Sequence, residues 1–368
     1  MAGKTRILMT ADTIGGVWTY AMTLCGALRD YRFEIHLLTM GRLLNESQRI
    51  QVEALDNVVL YESSFKLEWM DDPWDDVEKA RLWISDIYNK VSPDIVHFNN
   101  YVRPFDNWNS TVVTVFHSCV LTWFRSVKQE DAPQEWQPYR NLVTTALASS
   151  DVVVFPSAGI QSLAEEVYGR ISHSQVIYNG KRGVVDINAD KQPFVMSAGR
   201  LWDDAKNMAI LCTAAKLLPW PLKIAGSNTS PDGEVFNGGN VKYLGEIAPA
   251  DVSQYMQQAS VFASAAVYEP FGLAVLEAAS CGCALVLSDT PTFRELWRDA
   301  AIYCNPKNED SVAAAIQALI DDEVLRTTLS EKAKQRAENF TASIMAESYI
   351  ALYQRQLEKQ LQHSPLNT

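Results

Sequence analysis

The 368-residue chain is 47% hydrophobic and 21% charged, the balance of a globular protein with room for two α/β domains, each with its own core. Its formal net charge of −12 argues against a duplex nucleic-acid partner, and it leaves room only for a weak peripheral membrane contact. No apolar run reaches spanning length, no leader pattern precedes Arg6 and no C-x-x-C pair occurs among the six cysteines, so a cytoplasmic protein with packed thiols is expected.

In chain order, residues 6–9 read as a first buried strand. A turn around Asp12, Gly15 and Gly16 follows, then a helical pattern through Leu28. Strands are expected at 33–38, 57–60, 95–98, 111–115, 152–155 and 175–178, with a helix over 74–90. Strands alternating with helices imply a mostly parallel sheet covered on both faces. The polar stretch 179–193 reads as a linker. A second series then begins, with strands expected at 194–197, 222–225, 241–244, 260–263 and 284–287. Two such halves gather the carboxyl ends of their strands, where α/β proteins bind ligands. The last helical pattern covers 343–361, and the tail beyond it is expected to fray.

The most informative feature lies in the second half. Between Asp251 and Asp289 the only charged residues are Glu269 and Glu277, set in Tyr-Glu-Pro-Phe-Gly-Leu-Ala-Val-Leu-Glu-Ala. A buried carboxylate needs a partner, so two of them in apolar surroundings point to a ligand. Pro270 suits the first turn of a helix, which would put Glu269 just before it and Glu277 about two turns along. The N–H groups of Phe271, Gly272 and Leu273 would then face a phosphate at the helix end. Phosphate beside hydroxyl-accepting carboxylates describes a sugar nucleotide. A second cluster, Gly199-Arg200-Leu201 with Lys206-Asn207, sits where the second half's first strand ends and offers a fork and a point charge to a diphosphate.

Other features say less on their own. Gly15-Gly16 is an ordinary turn signal, and it is not the G-x-G-x-x-G of a dinucleotide binder, so NAD is disfavoured. His117 falls at the C-terminal end of the strand at 111–115, and taken alone a histidine beside apolar residues is more often a satisfied structural residue than a ligand contact. His36 and His97 lie inside strands. The acid pairs Asp71-Asp72, Asp75-Asp76 and Asp203-Asp204 read as turns and helix starts with solvated charge. Seven of the ten tryptophans lie in the first half; Trp18 and Trp123 stand closest to the glycine turn and His117 and are the candidate stacking faces.

The run Glu269-Pro270-Phe271-Gly272-Leu273 with Glu277-Ala278 and Cys281-Gly282, joined to Gly199-Arg200-Leu201 and Lys206-Asn207, resembles the E-x7-E and Gly-Arg-Leu … Lys-Asn motifs of retaining glycosyltransferases of family 4. That resemblance implies the GT-B fold: two Rossmann-like, doubly wound domains facing an interdomain cleft, with a C-terminal crossover helix. It sets an acceptor-binding domain at 1–187, a nucleotide-sugar-binding domain at 188–342 and the returning helix at 343–368. It gives Arg200 and Lys206 to the diphosphate, Glu269 and His117 to the donor sugar, and Glu277 to the ribose. Gly15 and Gly16 would lie against phosphate and sugar. The loops at Ala225-Gly226 and Leu244 would hold the base through backbone groups. It also implies no bound metal and no cofactor; the partners are a nucleotide-sugar donor and a hydroxyl acceptor, whether glycan, lipid-linked or small molecule.

The family's usual Asn-Gly-Val-Asp is here Asn179-Gly180-Lys181-Arg182, and its Pro-Ser is Ala263-Ser264, which leaves the acceptor open. A sugar-nucleotide epimerase, a phosphorylase with a pyridoxal lysine, and a non-catalytic nucleotide-sugar-binding subunit remain as alternatives. The expected reaction is transfer of a hexose from a UDP-sugar, with GDP-mannose next in line.

Overall fold

Strand sequences as apolar as Ile7-Leu8-Met9 can satisfy themselves only in a sheet covered on both sides. A computed structural model describes residues 4–104, 108–183, 190–230, 233–239 and 241–363. The described chain folds as two compact units, one of Met1–Thr122, Asp131–Arg182 and Ala342–Thr368, the other of Trp123–Glu130 and Gly183–Thr341. The boundary expected after 187 and the tail beyond 363 lie outside the described residues.

The first unit holds β1 (Thr5–Asp12), β2 (Phe33–Met40), β3 (Val58–Glu62), β4 (Ile95–Phe98), β5 (Thr111–Val115), β6 (Val152–Phe155) and β7 (Ser174–Val176). They form one parallel sheet in the order β3-β2-β1-β4-β5-β6-β7. Alternate residues of β1 serve opposite faces. Ile7 and Met9 pack in one cluster with the helices Gly16–Ala27 and Ala342–His363, while Leu8 packs in another with Val77, Ala80 and Ile84 of the helix Trp74–Val91. The C-terminal helix is tied in by Met345, Ala346, Tyr349, Leu352 and Tyr353, and Tyr353 Oη lies 2.6 Å from His97 Nδ1. His97 is thus a packed structural residue, and burial pushes its pKa down to about 3.

The second unit holds β8 (Gln192–Ala198), β9 (Leu222–Ala225), β10 (Lys242–Gly245), β11 (Ala259–Ser264), β12 (Ala284–Ser288) and β13 (Ala301–Cys304). They too are all parallel, in the order β10-β9-β8-β11-β12-β13. Phe194, Met196, Phe262 and Leu285 face the helix Leu273–Ser280. Val195, Val261 and Val286 face the helices Met208–Ala215 and Glu309–Asp321. Both sheets are therefore doubly wound. The stretch read as a linker ends earlier than expected, because Gln192 and Pro193 already belong to β8. Lys191 is anchored as well, its ammonium donating to the carbonyls of Met256, Ala259 and Cys281 at 2.7–3.2 Å. All six cysteines are buried thiols, none of them in a disulfide. Among the described residues no helix is long and apolar enough to cross a membrane.

One cluster in the first unit works against stability. Asp12, the last residue of β1, and Glu68 are both buried, and neither Asp12 Oδ1 nor Glu68 Oε2 has a hydrogen-bond partner among the described residues. Burial first, then the charge of Glu68, raises the Asp12 carboxyl well above its usual range, against a smaller lowering by the Asn100 amide and Trp69. Burial also raises Glu68. The unfolded chain releases these protons near pH 4, whereas the folded chain holds them longer. Stability is therefore full below about pH 4 and is lost as pH rises through the folded pKa. Asp12→Asn should thus raise the unfolding midpoint by a few degrees at pH 8, an advantage that disappears at pH 4. Paired thermal melts check this, and an equal shift at both pH values would contradict it.

Candidate functional site

In the second unit the strand ends assemble the site through their backbones. Gly199, one residue past β8, donates to the carbonyl of Ala225 at 3.0 Å; Gly226 donates to Gly245 at 2.8 Å, and Leu201 to Ser227 at 2.8 Å. This lacing demands glycine at 226. Its φ is +136°, and a Cβ there would lie 1.9 Å from the Gly199 carbonyl oxygen. Gly226→Ala should therefore destabilise the unit by roughly 3 kcal/mol or more, since rigid backbone must move. A denaturant melt that matches the parent would refute the tight crossing.

Arg200 leaves this lacing and Lys206 ends a 3₁₀ turn, Asp204–Lys206. The turn is stitched to the acidic motif. Val267 N–H donates to Ala205 O at 2.9 Å, and the Asn207 amide donates to Ala265 O at 3.1 Å and Pro306 O at 2.7 Å. The result is a direct ion pair, Lys206 Nζ to Glu269 Oε2 at 2.6 Å, with both groups partly buried. Lys206 and Glu269, 63 residues apart in sequence, are brought together as cation and anion at one point.

The helix carrying Glu277 starts later than expected. It runs Leu273–Ser280 with Gly272 at its N-cap in the left-handed region, φ +90°. A left-handed residue cannot continue a right-handed helix. Pro270 and Phe271 therefore precede the helix instead of opening it. Glu277 is its fifth residue, little more than one turn along, and half-buried. Phe271 is buried, with its ring edge-on to Phe340 at 5.7 Å. The N–H groups that open the helix start at Leu273, beside Glu269, whose Cγ lies 3.4 Å from where a Gly272 Cβ would be. Ala225 is buried, and Leu244 is partly buried against the core that contains Phe271.

Asp203 is the residue that sequence reading missed. It is not a solvated turn acid: it is only 8% exposed. Oδ2 accepts from Arg200 Nη2 at 2.6 Å, and Oδ1 caps the 3₁₀ turn through Ala205 N–H at 3.0 Å. Burial alone would raise this carboxyl, but the Arg200 guanidinium, the Lys206 ammonium and the Ala205 N–H hold it below the usual range. The available signal was an Asp at the cap position, three residues after Arg200. Trp123 also reaches this loop, its indole N–H 3.4 Å from Asp203 Oδ1, and Lys128 pairs with Asp204 at 2.7 Å.

The remaining candidates lie in the first unit. Gly15 (φ +80°) caps the helix that begins at Gly16, and both are exposed. His117 lies just beyond β5, its Nε2 2.8 Å from Asn99 Oδ1 and its ring edge-on to Tyr20 of that same helix at 4.5 Å. Burial, and then His97, lowers its pKa to about 3, so it is a neutral hydrogen-bonding group at physiological pH. Trp18 offers no stacking face. It is a core residue whose indole N–H donates to Gln51 at 2.9 Å.

Two units of parallel, doubly wound sheet are the architecture of the GT-B class. Sucrose-phosphate synthase from Thermosynechococcus elongatus superposes with a TM-score of 0.79 at 16% identity, over 97% of this chain and all of that one. Anabaena HepE in complex with UDP-glucose superposes at 0.70 and 18% identity, over 95% and 99%. The model of Glycosyltransferase Family 4 matches residues 14–181, and that of Glycosyl transferases group 1 matches residues 185–336. The chain belongs to the GT-B glycosyltransferases of family 4 type.

Among curated relatives, N,N'-diacetylbacillosaminyl-diphospho-undecaprenol alpha-1,3-N-acetylgalactosaminyltransferase of Campylobacter jejuni is 32% identical over 46% of each chain. A 4-alpha-N-acetylgalactosaminyltransferase of the same organism is 29% identical over 54% of this chain and 59% of its own. The chain thus spans about half the length of the curated relatives it matches.

Proposed function

We propose that this protein is a retaining hexosyltransferase that takes its sugar from a nucleotide diphosphate sugar, UDP-linked in preference to GDP-mannose, and passes it to a hydroxyl acceptor. The observation that carries the reading is the Lys206–Glu269 ion pair, set beside Arg200 and the helix end at Leu273. In this reading Arg200, Lys206 and the first N–H groups of the helix Leu273–Ser280 neutralise the departing diphosphate, a role that elsewhere falls to a metal ion. Glu269 holds a hydroxyl of the donor sugar and keeps the Lys206 ammonium aimed at the phosphate. Glu277 takes the ribose diol, and the backbone at Ala225, Gly226 and Leu244 takes the base. The family resemblance assigns Gly15 and Gly16 to phosphate and sugar, and His117, neutral at physiological pH, to a hydroxyl of the sugar. The C1–O bond to phosphate breaks as the acceptor oxygen attacks from the same face. Its proton passes to the leaving phosphate oxygen, so configuration is retained and neither carboxylate acts as nucleophile.

Two relatives whose names specify diphospho-undecaprenol-linked acceptors support a lipid-linked glycan as acceptor class. A panel of nucleotide sugars, scored by nucleoside diphosphate release and by protection from heat, tests the reading. One UDP- or GDP-sugar should stabilise the protein and be consumed; no response to any of them would refute it. With that donor, Glu277→Ala should weaken nucleotide binding by roughly 1–3 kcal/mol, the cost of a lost charged hydrogen bond. Unchanged calorimetric affinity would remove Glu277 from the ribose.

A further inference from the structure

Arg200 is a long side chain at the end of a loop, and a guanidinium in that position ordinarily samples many rotamers. A carboxylate that is itself fixed can remove that freedom. Asp203 is fixed on both sides. Its Oδ1 accepts the Ala205 N–H at 3.0 Å and faces the Trp123 indole N–H at 3.4 Å, while its main-chain carbonyl accepts from Lys206 N–H at 2.8 Å. Its Oδ2 then takes a single donor of Arg200, at 2.6 Å. The Arg200 side chain is 44% exposed, against 8% for Asp203, and its guanidinium carbon lies 5.4 Å from the Trp202 ring, so most of the fork's donors are not taken up by Asp203.

We infer that Asp203 is a positioning residue: it presets Arg200 for a diphosphate and, through the same turn, sets the height of Lys206. The inference rests on the reading of Arg200 as a phosphate ligand. It also assigns a task to Trp123, whose indole nitrogen lies 3.4 Å from the second oxygen of Asp203. Lys128, 5.4 Å from the Trp123 ring and paired with Asp204, holds that indole in place.

Two opposed effects make the idea testable. Removing a carboxylate near an anion site relieves repulsion and by itself tightens binding. Removing a positioner releases Arg200 and weakens binding. The probe is inorganic pyrophosphate, which needs neither base nor sugar, titrated calorimetrically into the full chain. Asp203→Asn keeps the size of the side chain, and it should weaken pyrophosphate about tenfold. In an Arg200→Gln background the same substitution should change affinity less than twofold, because nothing is left to position. Arg200→Lys keeps the charge but not the fork, and it should lose about tenfold even if Asp203→Asn proves too unstable to measure. Tighter binding by Asp203→Asn, an equal loss in both backgrounds, or an unweakened Arg200→Lys would overturn the positioning role. An Arg200→Gln variant that binds pyrophosphate as the parent does would instead remove Arg200 from the diphosphate, and the inference with it.

Discussion

Glu269→Ala is expected to lower turnover by roughly 10²- to 10³-fold, the range seen when one preorganised group is removed from a charge-developing transition state. Nucleoside diphosphate affinity should stay level or rise. The ion pair underlies the expected split: Glu269 lies 2.6 Å from Lys206, so on the proposed roles its removal would free an ammonium for phosphate while taking from the donor sugar a hydrogen-bond acceptor. Steady-state release of nucleoside diphosphate gives the first quantity and calorimetry the second. A parallel loss of both would mean that Glu269 only supports the fold.

Lys206→Ala should have the second-largest effect, and on two quantities. Turnover should fall by about 10²-fold as a counter-charge to the leaving diphosphate disappears. Stability should fall by about 1–2 kcal/mol, because Glu269 is left partly buried without its cation. Combining Lys206→Ala with Glu269→Ala should recover most of the lost stability and none of the turnover. That pattern separates the structural share of the pair from its chemical share. If the double variant is no more stable than Lys206→Ala alone, the pair contributes nothing to the fold.

The parallel sheets were legible because buried strands such as β1, β5 and β12 are unbroken apolar runs that alternate with helical periods. The Glu269–Glu277 spacing was legible as well, since charge is scarce around it. What escaped was set by backbone conformation and long-range pairing. Pro270 looked like a helix opener, yet Gly272 at φ +90° moves the start to Leu273. Asp203 looked like one of several surface acid pairs, and only the fold shows it buried between Arg200 and the Ala205 N–H. Asp12 and Glu68 meet across 56 positions with no periodic signal to link them. Trp18 looked like a stacking face until Gln51, on another helix, accounted for its indole N–H.

The central claim is same-face transfer from a sugar nucleotide held by Arg200, Lys206 and Glu269. The anomer released when the enzyme hydrolyses its donor tests this most directly, and it requires no acceptor. Proton NMR should follow an α-linked donor chosen by the panel, at early times before mutarotation. The α-sugar should appear first, and the signal should be lost in Glu269→Ala. A β-sugar appearing first would mean inversion and would contradict the account.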